Sequence, residues 1–483
     1  MTNAAFQIKN PSVTLCAFHL CQELTEQPEK LTPDAEKLWE KCANLSEPLA
    51  APELRTLLEK LRSSRTKTFS AGSYVELLPE SRSLSYQLPL QLGSSHVELQ
   101  VSPIQIHDTY ILELTLYSQN VTVPVQQLTH LNPQGCLLAK NLDASLGQTL
   151  ILYGEEPTSL PEQDLDLAHA CVDAFLKDSQ QKRPVFVEVG KLFGSPIFEY
   201  ETGQEKPVEQ CHILVWLNRH PETKERIEKT HLSFLNLLCC RSKILFAYSQ
   251  ARWCYNQTRR IYAELEQETQ SLQHFLKQPV EERLKYLKEK LTKIPLKTFE
   301  YARYLRDMED HKTAIATNAK NYQLWLEKIR QFSFQDDRLE FFDNFFNKTC
   351  QRFQEQIQVD LNYLAPARQL FEQMQVAIRG IVEIEQAESD RKREQQQKKL
   401  ERVVALVGAG LAVSGLSAQS PGKPVETILT QVYPKQSLNC PQDGLAPCLR
   451  YSGFYVLFNL GVGVIAALML GLILDLVSNN SRV

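Results

Sequence analysis

The clearest periodic pattern is an alternation of leucine or tyrosine with polar residues from Leu84 to Leu92. Gly93-Ser94-Ser95 follows, and the alternation resumes through Val97, Leu99 and Val101. A period of two on both sides of a glycine turn predicts a β-hairpin with one buried face. Pro89 lies within the first strand, and because proline cannot donate to a ladder, that strand is expected at a sheet edge.

Similar segments predict more strands, with helices between them. The further strand candidates are Tyr110–Tyr117, Thr149–Tyr153, Val185–Val189, Pro196–Tyr200 and His212–Leu217. Helical spacing occurs at Pro33–Ala43, Pro52–Arg62 and Gln163–Lys177. We therefore predict an α+β domain over residues 1–218, with a mixed, largely antiparallel sheet covered by helices.

From Pro221 onward the pattern is helical. Pro221–Lys277 has little punctuation and predicts one long helix. Its apolar centre contains Arg241 and Lys243, and each would cost about 2.5–3.5 kcal/mol at a bilayer centre, so this helix is expected to be buried in protein. Two helices then follow in a helical domain over 219–335. They are Glu281–Lys293 and Leu296–Gln331, with a separation expected near Pro295.

A stalk helix is predicted over 336–402, with a kink or break at Pro366. After that proline, apolar residues follow the 3-4 spacing of a coiled-coil seam. They are Ala367, Leu370, Met374, Ala377, Ile381 and Ile384. Either the stalk packs against a neighbouring helix of its own chain, or it associates with copies of itself.

Two apolar stretches near the C-terminus predict two transmembrane helices, at 403–418 and 453–477, joined by an extracytoplasmic loop at 419–452. Gly453–Leu474 carries no charge over twenty-two residues. At about 1.5 Å per residue it would cover about 33 Å, enough for a hydrocarbon core of about 30 Å. The first stretch has only sixteen residues, so a re-entrant or interfacial segment is its alternative.

Charge and the N-terminus predict the orientation in the membrane. No basic region followed by an apolar core opens the chain, so no cleavable signal peptide is evident. A basic cluster precedes the first apolar stretch, and the loop carries only three basic residues. The cluster consists of Arg391, Lys392, Arg393, Lys398, Lys399 and Arg402. The positive-inside rule then places the N-terminal domain and the C-terminus in the cytoplasm, with the bacterial inner membrane as the default location.

The cysteines agree with that orientation. Ten of the twelve precede residue 400 with irregular spacing, as expected for free buried thiols in a reducing compartment. Cys440 and Cys448 lie in the predicted loop. There they either form a disulfide or stay unpaired.

Small residues recur at every fourth position in both apolar stretches, which lets helices approach closely. Gly410, Ser414 and Ala418 belong to the first stretch, and Gly463, Ala467 and Gly471 belong to the second. Asn459 places an amide in the second stretch, where it could hydrogen-bond between subunits. We therefore expect self-association, with membrane lipid and other copies of the chain as partners.

No catalytic or metal-binding motif occurs. H-E-x-x-H, G-x-x-x-x-G-K-[ST] and G-x-S-x-G are all missing, and no histidine pair has ligand spacing on a helix. A net charge of −4 gives no electrostatic reason to expect nucleic-acid binding. We expect a protein that is not an enzyme and has no evident cofactor. A metal ligand set cannot be named.

The order of parts resembles the CorA-type divalent-cation channels: an α/β domain, long helices, a stalk that enters the first span, and a closing second span. In that family the first span ends in Gly-Met-Asn, and Gly415-Leu416-Ser417 stands at the corresponding place here. The resemblance implies a homo-oligomer, with five copies as one candidate, and a divalent cation as a candidate ligand. It also implies a pore lined by the first span, with Gly408, Ser414, Gly415 and Ser417 as lining or packing residues.

Three functional hypotheses follow. The first is a homo-oligomeric membrane channel regulated by its cytoplasmic domain. The second is a membrane-anchored sensor or effector whose α/β domain binds a ligand or partner without steady ion transport. The third is a membrane-tethered enzyme, which would need a catalytic group assembled from distant residues.

Overall fold

The computed structural model describes most of the chain before residue 389 and short pieces after it. The described residues are 6–22, 31–64, 74–78, 83–155, 161–204, 206–275, 278–388, 403–408, 412–413, 431, 457, 461, 463–465 and 468–469. They pack as two compact units. Unit 1 comprises Met1–Arg252 and Asp310–Ile357, and unit 2 comprises Trp253–Glu309 and Gln358–Val483.

Ten strands of unit 1 form one sheet. They are β1 (Gln7–Leu20), β2 (Val75–Glu76), β3 (Leu84–Leu92), β4 (Ser95–Ile106), β5 (Thr109–Tyr117), β6 (Thr122–Pro124), β7 (Gly147–Glu155), β8 (Val185–Leu192), β9 (Ser195–Glu201) and β10 (His212–Asn218). The strand order is β2-β4-β5-β1-β7-β10-β9-β8, with β3 paired to β4 and β6 paired to β1. Only β7 and β10 run parallel among these pairs. The predicted mixed, largely antiparallel sheet is confirmed.

Eight α-helices accompany these strands in the described residues up to Glu388. They are α1 (Lys37–Asn44), α2 (Glu53–Ser64), α3 (Ala139–Leu142), α4 (Asp164–Leu176), α5 (Thr223–Phe275), α6 (Val280–Arg330), α7 (Glu340–Asn344) and α8 (Gln351–Glu388). Three of them, α5, α6 and α8, are 53, 51 and 38 residues long. A π-helical turn, Phe345–Cys350, joins α7 to α8.

Helices cover both faces of the sheet. On one face α1, α2 and α4 contribute Leu38, Leu54 and Phe175 to a buried apolar core with strand residues such as Leu15 and Leu114. On the other face α5 packs against the strands, with Phe234 5.8 Å from Trp216 between ring centroids. A strand covered on both faces cannot alternate with water-facing residues, which is why the centre of β1 is a continuous buried run, LCAF.

Several sequence predictions are confirmed in detail. The β3–β4 hairpin forms, and β3 pairs only with β4, as Pro89 implied. The long helix predicted from Pro221 is α5, in which Arg241 is buried and Lys243 is half-buried beside Asp108. The described thiols before residue 400 are all buried and free.

Pro295 does not separate two helices, as the sequence had suggested. α6 runs through it without interruption. A proline inside a helix removes one hydrogen bond, but Ile294 and Tyr301 on either side of it are buried. Burial of this kind stabilises a helix against the loss of a single bond. α8 likewise continues through Pro366, so the predicted break does not occur there.

The residues of the predicted coiled-coil seam are partly buried within unit 2. Ala367, Met374 and Ile381 are buried. Phe371, one position off that seam, lies 5.4 Å from Tyr301 between ring centroids. The tyrosine hydroxyl donates a 2.7 Å hydrogen bond to the carbonyl of Leu364. α8 therefore packs against α6 of its own chain, and association of the stalk with copies of itself stays a prediction.

The predicted transmembrane helices are contradicted. Among the described residues, no helix combines the length and apolar composition that a bilayer crossing requires. The prediction rested on composition, whereas a span also needs about 20 consecutive helical residues. Most of 403–418 and 453–477 lies outside the described residues. The predictions of an integral membrane location, of an ion channel and of a membrane-anchored sensor depended on these helices, so the same finding contradicts them.

Candidate functional site

The outermost strand of the sheet, β8, exposes three valines. Val185 is 68% exposed, Val187 50% and Val189 46%. β8 pairs with β9 on one side, and it ends the strand order. Exposed β-branched residues on an edge strand leave unpaired backbone groups beside apolar side chains, which is the arrangement that accepts another strand.

One end of this edge already pairs with a second segment of the chain. The N–H of Lys191 donates a 2.7 Å hydrogen bond to the carbonyl of Arg338, and the N–H of Arg338 donates a 2.8 Å bond to the carbonyl of Lys191. This is an isolated antiparallel bridge. The edge therefore accepts backbone pairing at Lys191, and it continues towards Val185 without a paired strand among the described residues.

A β-bulge shapes the open part of the edge. The register of β8 against β9 shifts between Phe186 and Glu188, so Val187 is the extra residue. A bulge bends its strand and increases the local twist. The open length from Val185 to Val189 is about 17 Å at about 3.4 Å per residue. It can hold a short extended segment.

The turn that joins β8 to β9 is held by an aspartate. The carboxylate of Asp337 accepts hydrogen bonds from the N–H of Phe193 at 2.7 Å and of Gly194 at 2.8 Å. It also accepts one from the N–H of Phe334 at 2.9 Å. Phe193 and Gly194 both have positive φ, 55° and 79°, as a two-residue hairpin turn requires. Asp337 therefore fixes the hairpin and its own loop in one arrangement.

The face of β8 is supported by α7 and its preceding loop. A Cβ added at Gly190 would lie 2.7 Å from the ring of Phe341 and 2.8 Å from the carbonyl oxygen of Arg338. Glycine is needed for this close approach. The amide of Asn344 donates hydrogen bonds to both carboxylate oxygens of Glu188, at 3.2 and 2.9 Å.

A surface depression of about 620 Å³ adjoins this end of the edge, and it is polar. Its lining residues are Arg330, Ser333, Phe334, Gln335, Asp337, Arg338, Leu339, Glu340 and Asp343. Arg330 pairs there with Asp343 and Glu327. The exposed guanidinium of Arg338 has no carboxylate partner within the described part of the chain.

Cations therefore flank the open edge at both ends. Lys182 and Arg183 precede β8 and are exposed, and Arg183 lies 2.7 Å from Asp173. Arg338 follows at the other end. An extended partner with an uncharged centre and acidic ends would match this pattern.

A second constellation, in the interior of unit 1, has the residue types of a catalytic relay. His212 on β10 lies between Thr149 on β7 and Glu199 on β9. The hydroxyl of Thr149 is 2.8 Å from Nδ1 of His212, and Nε2 of His212 is 3.0 Å from Oε1 of Glu199. With a neutral imidazole, Nε2–H donates to the carboxylate and Nδ1 accepts from the hydroxyl.

The charges around this relay favour the neutral imidazole. Burial lowers the pKa of His212 below its ordinary value, and the guanidinium of Arg241 lowers it further, against the raising effect of Glu199. Burial alone would raise the pKa of Glu199, but hydrogen bonding to His212 and the charge of Arg241 lower it overall. Arg241 also lies 3.0 Å from Glu201. Arg241, Glu199 and Glu201 thus form a buried ion cluster beside a neutral His212.

Burial decides the role of this cluster. Thr149 is 1% exposed and His212 2% exposed, so no substrate atom can reach the hydroxyl in this conformation. The arrangement satisfies buried polar groups where β7, β9 and β10 meet α5, as buried polar groups require. We assign it to the stability of unit 1.

Most residues that the sequence singled out lie outside the described residues. These are Gly410, Ser414, Gly415, Ser417, Asn459, Ala467, Gly471, Cys440, Cys448 and the basic residues from Arg391 to Arg402. Gly408 and Gly463 are described and helical. The pore-lining role ends with the contradicted channel, while helix packing and the disulfide remain predictions.

The sequence predicted β8 as a strand but not its edge position or exposure. Its signal was the VFVEV pattern at Val185–Val189, in which every second residue is valine. The His212 cluster was missed because its members come from separate strands and a helix. Within the described ranges, no group of three or more His, Cys, Asp or Glu side chains is placed to hold a metal ion.

Comparison of the chain with protein-family models, with curated proteins and with solved structures finds no match in any of the three. The resemblance to CorA-type channels thus rests on the order of parts alone.

Proposed function

We propose that this protein is a non-enzymatic interaction protein whose unit 1 binds an extended polypeptide segment by strand addition at the open edge of β8. The single observation that carries the proposal is the edge itself, with Val185, Val187 and Val189 exposed beside a backbone that pairs with Arg338 at one end.

The physical basis is that of strand addition in general. Backbone hydrogen bonds along the edge supply affinity, and side chains at alternate positions supply specificity. Each net hydrogen bond contributes about 0.5–1.5 kcal/mol, and burial of the valines adds apolar stabilisation. A short edge of this kind belongs with small, transient interfaces, so we expect dissociation constants of about micromolar size.

The flanking charges narrow the chemistry of the partner. Lys182 and Arg183 lie at one end and Arg338 at the other, while Val185–Val189 contains the one charged residue Glu188, held by Asn344. A segment with β-branched residues at its centre and acidic residues at both ends fits. Rim charges of this kind mainly change association rates and their salt dependence, so binding is expected to weaken as salt is added.

Fluorescence anisotropy of the full-length protein tests the proposal. The probe is a labelled peptide with alternating valine and threonine at its centre and two glutamates at each end. We expect saturable binding that Val189→Lys weakens at least tenfold. Leu324→Lys, which makes the same change at an exposed position on α6, should leave binding within twofold.

A matched peptide with proline in place of the central valine should not bind, because proline removes a backbone donor. No saturable binding of the valine peptide would contradict the proposal. Equal weakening by Val189→Lys and Leu324→Lys would contradict it as well, since it would place binding away from the edge.

A further inference from the structure

One side of α6 in unit 2 carries cations at both ends and large apolar side chains at its centre. Its residues follow each other at intervals of three or four within one continuous helix, which places them on a single face. All of them are exposed. We call them the basic face. They are Lys285, Lys288, Thr292, Leu296, Phe299, Arg303 and Arg306.

The two apolar residues at the centre of the basic face protrude into solvent. Leu296 is 67% exposed and Phe299 is 74% exposed. Residues three apart are neighbours on a helix, so these side chains form one apolar spot. The opposite side of α6 is buried, and its Tyr301 lies 5.4 Å from Phe371 of α8 between ring centroids. The apolar spot thus lies outside the packing of α6 on α8.

The charge of the basic face is positive at both ends. Two lysines precede the apolar spot, two arginines follow it, and no carboxylate belongs to the face itself. Glu300 lies 3.9 Å from Arg303, and Asp307 lies 2.9 Å from Arg306, both from positions beside the face. Exposed ion pairs of this kind are weak and screened by salt. Both guanidinium groups can therefore contact a second anion.

The size and chemistry of the basic face favour an anionic lipid surface as its occupant. From Lys285 to Arg306 the helix rises about 32 Å, and at a width of about 10 Å the face offers about 300 Å². A stable protein interface buries roughly 800 Å² per partner. A soluble polyanion would bind the cations but offers no apolar surface to Leu296 and Phe299. An anionic lipid surface offers both phosphates and an apolar boundary beneath them.

We propose that unit 2 docks on anionic lipid surfaces through the basic face, with α6 parallel to the surface. Leu296 and Phe299 enter the boundary between headgroups and acyl chains, and the four cations contact phosphates. The contact is peripheral and needs no helix that crosses a bilayer. It is independent of strand addition at β8, because the basic face and the edge belong to different units.

Flotation of the full-length protein with vesicles tests the role of charge. Binding to vesicles of phosphatidylcholine and phosphatidylglycerol in equal parts should be at least tenfold tighter than binding to phosphatidylcholine alone, and it should weaken as salt is added. Lys285→Glu/Lys288→Glu should weaken binding to the mixed vesicles at least tenfold. Lys320→Glu makes the same change at an exposed position of α6 in unit 1, and it should leave binding within twofold.

The apolar spot is tested separately. Leu296→Ser/Phe299→Ser should also weaken binding to the mixed vesicles at least tenfold, whereas Leu324→Ser, again at an exposed position of α6, should leave it within twofold. Phe299→Trp should add a blue-shifted component to the tryptophan emission when the mixed vesicles are present, and Leu324→Trp should not. Equal unfolding temperatures of the variants and the wild type separate loss of docking from misfolding.

Three results would overturn the proposal. The first is binding to mixed vesicles that is no tighter than binding to phosphatidylcholine alone. The second is equal weakening by the variants of the basic face and by their controls, which would place lipid binding elsewhere in the chain. The third is binding to heparin that Lys285→Glu/Lys288→Glu weakens, without flotation of the wild type, which would assign the basic face to a soluble polyanion.

Discussion

Arg241 lies at the centre of the buried ion cluster in unit 1. Its guanidinium is buried and lies within 3.4 Å of Glu199 and 3.0 Å of Glu201. Removal of one partner from a buried ion cluster leaves the other charges uncompensated, at a cost of about 3–5 kcal/mol.

Arg241→Ala should therefore lower the free energy of unfolding by about 3–5 kcal/mol, as measured by urea denaturation. Arg62→Ala is the control, because Arg62 pairs with Glu36 and Glu40 on the surface. Its effect should be about 0–1 kcal/mol. Equal effects of the two substitutions would show that the cluster contributes no more than a surface pair.

His212 and His231 are expected to change the stability of the protein in opposite directions as the pH falls. The pKa of His212 is lowered by burial, so between its folded pKa and 6.5 the unfolded chain binds more protons than the folded one. Its contribution makes the protein less stable as pH falls below about 6.5. The hydrogen bond to Glu113, 2.6 Å away, raises the pKa of His231. Its contribution stabilises the protein below about 6.5 and is lost as pH rises through the folded pKa.

We therefore expect His212→Gln to reduce the loss of stability between pH 7 and pH 5, and His231→Gln to increase it. The measurement is the free energy of unfolding of each variant at several pH values. A steeper loss in His212→Gln than in wild type would contradict the assignment of a neutral buried imidazole.

At the scale of elements, the β8–β9 hairpin depends on a loop far away in sequence. The carboxylate of Asp337 accepts hydrogen bonds from three backbone N–H groups, which would lose this partner if the side chain were removed. Asp337→Ala should lower the free energy of unfolding by about 1–3 kcal/mol, the cost of unsatisfied donors. Asp336→Ala, which removes an exposed ion pair with Lys191 on β8, should have the smaller effect, because exposed ion pairs contribute little to stability. Thermal unfolding of the two variants measures both effects, and equal effects would contradict the role assigned to Asp337.

The elements also show what the sequence could and could not specify. Strict alternation predicted the β3–β4 hairpin, and unbroken helical periodicity predicted α5. The predicted separation of two helices at Pro295 was wrong, because it considered only the local backbone effect of proline. The burial of Ile294 and Tyr301 could not be seen in the local sequence. Tertiary packing overrides local propensity in such places.

At the scale of the whole molecule, the order in which distant strands pair leaves β8 at the edge of the sheet, where the candidate site lies. β8 is an edge because β9 is inserted between it and β10, and no local pattern contains that information. The composition of residues 403–418 and 453–477 suggested spans, yet the described residues include no helix able to cross a bilayer. Composition alone therefore led to a wrong prediction of two transmembrane helices there.

The central claim is that the open edge of β8 receives an extended segment. Hydrogen–deuterium exchange of the full-length protein, with and without the valine–threonine peptide, tests it most directly. We predict slower exchange in Val185–Leu192 on addition of peptide, with little change in β3, the strand at the other side of the sheet. Unchanged exchange in β8 at saturating peptide would contradict the account.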